Sequence, residues 1–395
     1  MPPDRSAVLK DKRQMKYYII AGEASGDLHG SNLIKGLLKA DPGAQFRFWG
    51  GDFMADAAGS SGELVRHYKE ASIMGFWEVV KKLRRVLGQM KFCRKDIAAW
   101  EPDVLVLIDY PGFNFRMARF AKQSGIPSYY YIAPKVWAWK EGRVKKIRKY
   151  VDRLFVIFPF EIEYFRRHGI EAYYAGNPIM DSIAQRQAAT AKTFEEFSRE
   201  NGLDGKPVVA LVAGSRTHEI DYNLPVMVEV SRRFPDYQFV VTGVSWLDKA
   251  LYDKYLDGSG VAYVCDKTYE TLSFSTAAMV TSGTATLEAA LLKIPEVVCF
   301  RGPKLTIWIA YRLVKVRFIS LVNLIMDREV VKELIQYDFT IDSAAEELQA
   351  ILAGGSKYET LKEDYRQLAG IVGPPGASER VAAEMAEFLK KDKAR

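Results

Sequence analysis

Three features of the sequence predict an α/β protein with two parallel-sheet halves. Short apolar runs alternate with helix-patterned segments along the 395 residues. The alternation pauses near Asn177-Pro178 and restarts at Pro207. Glycines, hydroxyls and acids follow the apolar runs directly. Such alternation is the pattern of parallel strands joined by crossover helices.

Taken in order, Tyr17–Ala21 is the first apolar run, and a helical pattern follows from about Leu28 to Ala40. Phe46–Trp49 precedes Gly50-Gly51. Val104–Ile108 ends in Asp109, and Tyr129–Ile132 and Leu154–Ile157 complete the first series. A polar helical stretch, Asp181 to Asn201, intervenes. The second series is Val208–Val212, Gln238–Thr242, Ala262–Cys265, Ala278–Thr281 and Val297–Phe300. The tail, roughly Ser356 to Lys391, is helical and polar, broken at Gly373-Pro374-Pro375-Gly376. The expected organisation is a disordered leader over 1–14, domains over 15–178 and 179–345, and C-terminal helices over 346–395.

Composition narrows the partners. The chain is 48% hydrophobic and 27% charged, which is ordinary for a globular protein, and its net charge of +7 suits anionic partners without choosing among them. Nucleotides, phospholipid headgroups and phosphorylated sugars all qualify. The three cysteines are scattered and the four histidines form no ligand-spaced cluster. A disulfide framework and a dedicated metal site are therefore not expected. Neither GxGxxG nor GxxxxGK[ST] occurs, which disfavours a dinucleotide enzyme or a P-loop NTPase. No secretory signal is evident, and no apolar run reaches the roughly 18 residues of a membrane span. The expected location is cytoplasmic, dissolved or peripherally attached to a membrane.

In open α/β sheets, ligands bind beyond the carboxyl ends of the strands. Gly22–Asp27, Asp109–Asn114, Ala133–Trp139, Ala213–Arg216 and Ser282–Glu288 all take that place. In VAGSR, Gly214 lets the backbone turn, and Ser215 and Arg216 follow. An arginine there offers a planar fork of donors to a diphosphate. A plain surface arginine is the alternative. In SGTATLE, Ser282, Gly283, Thr284 and Thr286 lead into a helix whose first amides suit an anion. Glu288, about one turn in, suits ribose hydroxyls. Ordinary capping by a Ser or Thr with a nearby Glu explains the same residues.

Asp109 ends a buried strand. A partly desolvated carboxylate there has a raised pKa and suits a general base. A structural cap on the helix past Pro111 is the competing reading. GEASGD has no lysine, so Glu23 and Asp27 make it a poor phosphate clamp. Two acids instead suit sugar hydroxyls, with capping of the Leu28 helix as the alternative.

Two segments combine aromatic and basic side chains. Trp137 and Trp139 precede Lys140, Arg143, Lys145, Lys146, Arg148 and Lys149. These cations suit a phosphate or an anionic surface, although charge runs are usually solvated faces. Met74, Phe76, Trp77, Val79, Val80, Leu83, Val86 and Leu87 form an apolar stripe at helical spacing, interleaved with Lys81, Lys82, Arg84 and Arg85. Core packing is the commonest cause of such a stripe. An interfacial helix touching lipid has the same composition.

The ordered set GEASGD, IMG (Ile73–Gly75), IDYPGFN, PKVWAWK, FPFE (Phe158–Glu161), GNP (Gly176–Pro178), GSR, SGTATLE and SLVNLIMDREVVKELIQ (Ser320–Gln336) resembles the bacterial lipid A disaccharide synthases, from about Met15 to the tail. The resemblance implies two Rossmann-like domains facing across a cleft, the B-type glycosyltransferase architecture. It implies an inverting hexosyltransferase that joins UDP-2,3-diacylglucosamine to 2,3-diacylglucosamine 1-phosphate (lipid X), with no metal or cofactor. Asp109 matches the family's general base, Arg216 the diphosphate contact and Glu288 the ribose contact. Asn323 lies in the SLxNL motif near the nucleotide, and Glu23 matches an acid of the active cleft. The Met74–Leu87 stripe, with Met74, Phe76, Trp77, Val80 and Leu83, matches a family surface that docks on the inner membrane, and Arg143 and Lys146 of the basic segment are expected as further acceptor or membrane contacts. The last helices are expected to pack on the first domain or to swap with a partner protomer, so a homodimer is compatible. No nucleic-acid partner is expected. A UDP-sugar epimerase of the same fold and a non-catalytic membrane-bound protein are the rival readings.

Overall fold

The computed structural model describes residues 14–71, 79–137, 141–189, 192–303, 307 and 316–394. Of the expected leader, only Gln14 falls among them. The chain forms two compact units, Met1–Pro178 with Pro375–Arg395, and Ile179–Pro374.

The first unit is built on seven parallel strands: β1 (Lys16–Ala21), β2 (Gln45–Gly50), β3 (Gly62–His67), β4 (Val104–Ile108), β5 (Ser128–Tyr131), β6 (Arg153–Val156) and β7 (Ala172–Tyr174). Their order across the sheet is β3-β2-β1-β4-β5-β6-β7. Alternating side chains of the central strands enter two different cores. Tyr17, Ile19 and Ala21 join Val104, Val106 and Ile108 beneath the helix Ala24–Ala40. Tyr18, Ile20, Leu105 and Leu107 face the other way, toward Met90, Cys93 and Ile97 of helix Val79–Trp100 and Met117, Ala118 and Ala121 of helix Pro111–Gln123.

The last helix, Ala377–Ala394, closes the first of these cores. Val381, Ala382, Met385, Ala386 and Leu389 pack with Leu33, Ile34 and Leu37. Burying a large aliphatic side chain of this kind contributes about 1.5–3 kcal/mol. Gly36 lets the two helices approach closely, since a Cβ there would lie 2.7 Å from Ala382 Cβ. The expected division at residue 346 differs from this arrangement. Helices Ile341–Ile351 and Tyr358–Val372 belong to the second unit, and only the stretch after Pro374 returns to the first. The Gly-Pro-Pro-Gly break is the true boundary, because the helix cannot continue through it.

The second unit holds six parallel strands: β8 (Val208–Val212), β9 (Gln238–Gly243), β10 (Ala262–Cys265), β11 (Ser275–Thr281), β12 (Glu296–Phe300) and β13 (Glu333–Ile335), in the order β10-β9-β8-β11-β12-β13. In both sheets the order of strand addition therefore reverses beside the first strand, between β1 and β4 and between β8 and β11. These switch points leave crevices at the carboxyl edge, where ligands bind in this class of fold.

Local differences from expectation have local causes. The first helix begins at Ala24 rather than Leu28, with Glu23 as its extended N-cap residue. The stretch Asp181–Asn201 contains two helices, Pro178–Ala189 and Phe194–Glu200. Thr193 starts the second, its Oγ1 accepting from the Glu196 N–H at 3.3 Å while Glu196 Oε2 accepts from the Thr193 N–H at 2.9 Å.

Candidate active site

The loops at the first switch point are packed on each other. A Cβ on Gly22 would fall 2.3 Å from the Tyr110 ring, so only glycine admits that approach. Glu23, next along, is exposed, and its side chain caps no amide of its own helix. Asp27 departs from expectation. It is buried, and its carboxylate accepts from the N–H groups of Gly51 at 2.7 Å, Met54 at 3.1 Å and Phe53 at 3.2 Å. It caps the helix Asp52–Ala58 after β2 and is not offered to a sugar. Of the two acids in GEASGD, only Glu23 is presented outward.

Asp109 sits beyond β4 in a left-handed conformation with φ 42°, followed by Tyr110 at φ 47°. Two such residues in succession cost about 1–3 kcal/mol each and persist only when their surroundings fix them. Here the Asp109 N–H donates to Tyr131 O at 3.2 Å. Its carbonyl accepts from Tyr130 Oη at 2.6 Å and from the buried Asn114 Nδ2 at 2.7 Å. The backbone is thus tied to the next strand and the next helix, and the carboxylate is aimed by that frame. Tyr110, not Asp109, is the N-cap of helix Pro111–Gln123 and makes no side-chain cap bond, so the capping alternative for Asp109 is not realised.

Burial raises the Asp109 pKa, and the Glu23 charge raises it further. Lys135, the Tyr110 amide and Arg143 oppose that rise. Lys135 was not singled out by spacing, although it belongs to PKVWAWK. Its side chain is exposed, yet crowding by protein lowers its pKa while Asp109 and Glu161 act to raise it. Glu161 links the neighbouring motifs. Its Oε1 accepts from Trp137 Nε1 at 3.0 Å and its Oε2 from the Phe158 N–H at 3.0 Å, and burial pushes its pKa up to about 7.

The expected acceptor or membrane residues are only partly visible. Met74, Phe76 and Trp77 lie outside the described residues, as do the side chains of Val80 and Leu83 in helix Val79–Trp100. Further along that helix, Val86 packs on the core and Leu87 is exposed. Arg143 is half-buried, and Lys146 is exposed with Nζ 5.9 Å from the centre of the Phe115 ring.

At the second switch point, Gly214 has φ 118° and a Cβ there would meet Glu219 at 2.5 Å. Glu219 reaches back over the start of helix Thr217–Ser231. Its Oε2 accepts from the N–H groups of Ser215 at 2.8 Å and Arg216 at 3.2 Å, and its Oε1 from Arg216 Nη1 at 2.7 Å. The Arg216 side chain stays 70% exposed, so its remaining donors face outward.

Across the switch, Gly283 is the N-cap of helix Thr284–Leu291, and no side chain caps that end. The alternative reading, a Ser or Thr cap, is not realised, and the hydroxyls of Ser282 and Thr286 are engaged with backbone carbonyls. Ser282 Oγ donates to Ile319 O at 2.8 Å and Thr286 Oγ1 to Gly283 O at 2.9 Å. Gly283 and Thr284 are exposed, which leaves the first amides for an anion. Burial raises the Glu288 pKa, and Arg186 opposes that rise, its Nη1 donating to Glu288 Oε1 at 2.9 Å. Arg186 carried no signal in the sequence.

Asn323 stands apart from these loops in its chemistry. It is fully buried and its amide is used by the chain itself. Oδ1 accepts from the N–H groups of Val330 at 2.7 Å and Val331 at 3.0 Å, while Nδ2 donates to Val331 O and Glu333 Oε1, each at 2.9 Å. Glu333 in turn holds the Ser320 N–H at 2.9 Å. Asn323 therefore fixes the segment that Ser282 grips, rather than offering its amide to a nucleotide.

Comparison with known proteins separates fold from activity. A family profile described as lipid-A-disaccharide synthetase matches residues 17–376. The lipid-A-disaccharide synthase of Myxococcus xanthus is 37% identical over 378 residues, covering 94% of this chain and 97% of that protein. That of Geobacter metallireducens is 37% identical over 380 residues, with the same coverage. Among solved structures, a putative UDP-N-acetylglucosamine 2-epimerase from Listeria monocytogenes has a TM-score of 0.67 at 14% identity, covering 96% of this chain and 97% of that one. The UDP-GlcNAc 2-epimerase of Neisseria meningitidis has a TM-score of 0.65 at 13% identity, covering 95% and 100%. At that identity the structural likeness speaks for the α/β fold alone.

Proposed function

Because this chain belongs to the lipid-A-disaccharide synthetase family, we propose that it transfers the glucosamine unit of UDP-2,3-diacylglucosamine to the 6-hydroxyl of 2,3-diacylglucosamine 1-phosphate. The products are the β-1′,6-linked disaccharide 1-phosphate and UDP. The near full-length match over residues 17–376 carries this reading. The epimerase neighbours share architecture at much lower identity.

Asp109, ionised, takes the proton of the acceptor 6-hydroxyl. That oxygen attacks the anomeric carbon as its bond to the diphosphate breaks, and the centre inverts. Negative charge develops on the leaving UDP. Arg216 and the uncapped amides at Thr284 are fixed donors suited to it, and fixed donors cost no reorganisation when charge appears. Gly214, Ser215, Ser282, Gly283 and Thr286 shape the two loops. Glu288 accepts from the ribose hydroxyls, and Asn323 keeps the supporting segment in place. Glu23 tunes Asp109 through its charge.

Both substrates carry acyl chains, which supports a membrane-facing role for the Met74–Leu87 stripe, with Arg143 and Lys146 as contacts for anionic groups. No helix among the described residues is long and apolar enough to cross a membrane. Contact of this kind is peripheral, and vesicle cosedimentation of Trp77→Ala against the parent measures it. The decisive experiment is mass spectrometry after mixing the protein with both acylated sugars. The disaccharide 1-phosphate and stoichiometric UDP are expected. An isomerised UDP-sugar with no UDP released would defeat the transferase reading.

A further inference from the structure

The loop after β9, residues 244–248, carries an aromatic side chain that the reaction above leaves unused. Trp246 is 65% exposed. A lone exposed apolar residue is ordinary, but this one is held in place. Its Nε1 donates to Ser215 O at 3.1 Å, one residue before Arg216.

The loop is braced from below. The Ser245 N–H donates to Asp266 Oδ1 at 2.9 Å, and the Asp266 N–H to Gly243 O at 2.9 Å. The Leu247 N–H returns to Val244 O at 3.1 Å. Asp248 then caps helix Lys249–Leu256, its Oδ1 accepting from the Ala250 N–H at 3.0 Å. Ser215 is fixed from its other side as well, its N–H given to Glu219 at 2.8 Å. The indole is thus pinned at its edge and open over most of its surface. It stands at the carboxyl edge of β9, beside the strand whose loop carries Arg216.

We propose that Trp246 is the stacking platform for the nucleobase of the donor nucleotide, with Arg216 holding the diphosphate next to it. This rests on the reading that the second unit binds a UDP-sugar. A pinned ring loses little freedom when a base settles on it. Stacking contributes affinity for the nucleoside and tolerates different bases, since every base has a π face.

The test compares UDP with inorganic pyrophosphate, a probe that lacks a base, in calorimetric titrations of the full chain. Trp246→Ala weakens UDP binding on the order of ten- to hundredfold and leaves pyrophosphate binding unchanged. Trp246→Phe keeps a ring and retains most of the UDP affinity. UDP quenches indole fluorescence in the parent, and that quench is lost in Trp246→Phe. Equal losses for UDP and pyrophosphate in Trp246→Ala would make the residue a brace for Ser215 and overturn the proposal. Unchanged UDP affinity overturns it too. A parent protein that binds no UDP removes the donor reading, and this platform with it.

Discussion

Arg186 Nη1 donates to Glu288 Oε1 at 2.9 Å, joining helix Pro178–Ala189 to helix Thr284–Leu291. The pair sets the charge state of the carboxylate proposed to receive the ribose. Burial pushes the Glu288 pKa up and Arg186 restrains it. In Arg186→Ala the restraint is gone, so Glu288 protonates at higher pH. UDP affinity should then begin to fall at a higher pH than in the parent as the solution is acidified. Titrations of both proteins across the mildly acidic range measure this. Superimposable pH dependences would take Glu288 out of the ribose contact.

Asp109→Asn should abolish turnover, by about 10²–10⁴-fold for loss of a general base, while UDP affinity stays close to the parent. The same variant should melt higher at neutral pH. The Asp109 pKa is raised in the folded state, so its contribution to stability is full below the unfolded pKa and is lost as pH rises through the folded one. Asparagine removes that cost and also tolerates φ 42°. Calorimetric melting decides it: a lower Tm for Asp109→Asn contradicts the assigned burial of charge.

The acidic limb of kcat/KM should report Asp109 and lie above the ordinary aspartate range. Its neighbours shift it in opposite directions. Glu23→Gln removes a negative charge and moves the limb down. Lys135→Met removes a positive charge and moves it up. Among the described residues the Tyr110 amide, Arg143 and Tyr130 also act on or face Asp109. Limbs that do not move, or move the other way, would reassign the base.

Asn323→Ala and Arg216→Ala should fail differently. The first strips four hydrogen bonds from a buried site and leaves the Val330 and Val331 amides without acceptors. Each buried group so orphaned costs about 1–3 kcal/mol, so Tm should drop steeply. The second removes an exposed side chain and should leave Tm nearly unchanged while UDP affinity collapses. A stable Asn323→Ala with weakened UDP binding would restore that residue to the nucleotide site.

The central strands were legible because each is an unbroken apolar run, as in Val104–Ile108 and Val208–Val212. Three of the four edge strands, Gly62–His67, Ala172–Tyr174 and Glu333–Ile335, were not, while the fourth, Ala262–Cys265, was. The first three are largely half-buried, and two of them span only three residues, so their sequences mix apolar and polar residues without a clear period. The loops beyond β1, β4, β8 and β11 could be read from their glycines and acids. Their partners could not. Lys135, Arg186, Glu219 and Trp246 act through tertiary placement, and nothing in their spacing points to Asp109, Glu288 or Ser215. Asp27 shows the same limit in reverse, since its cap lies on the helix after the next strand.

Helix Ala377–Ala394 also bears on biogenesis. The second unit is one uninterrupted run of chain and can finish folding while the ribosome is still completing the polypeptide. The first sheet is made before the second but waits with Leu33, Ile34 and Leu37 without their helical cover until Ala377–Ala394 has been translated. A nonsense mutation just after the codon for Pro374 would therefore spare the younger half and leave the older one a client for chaperones.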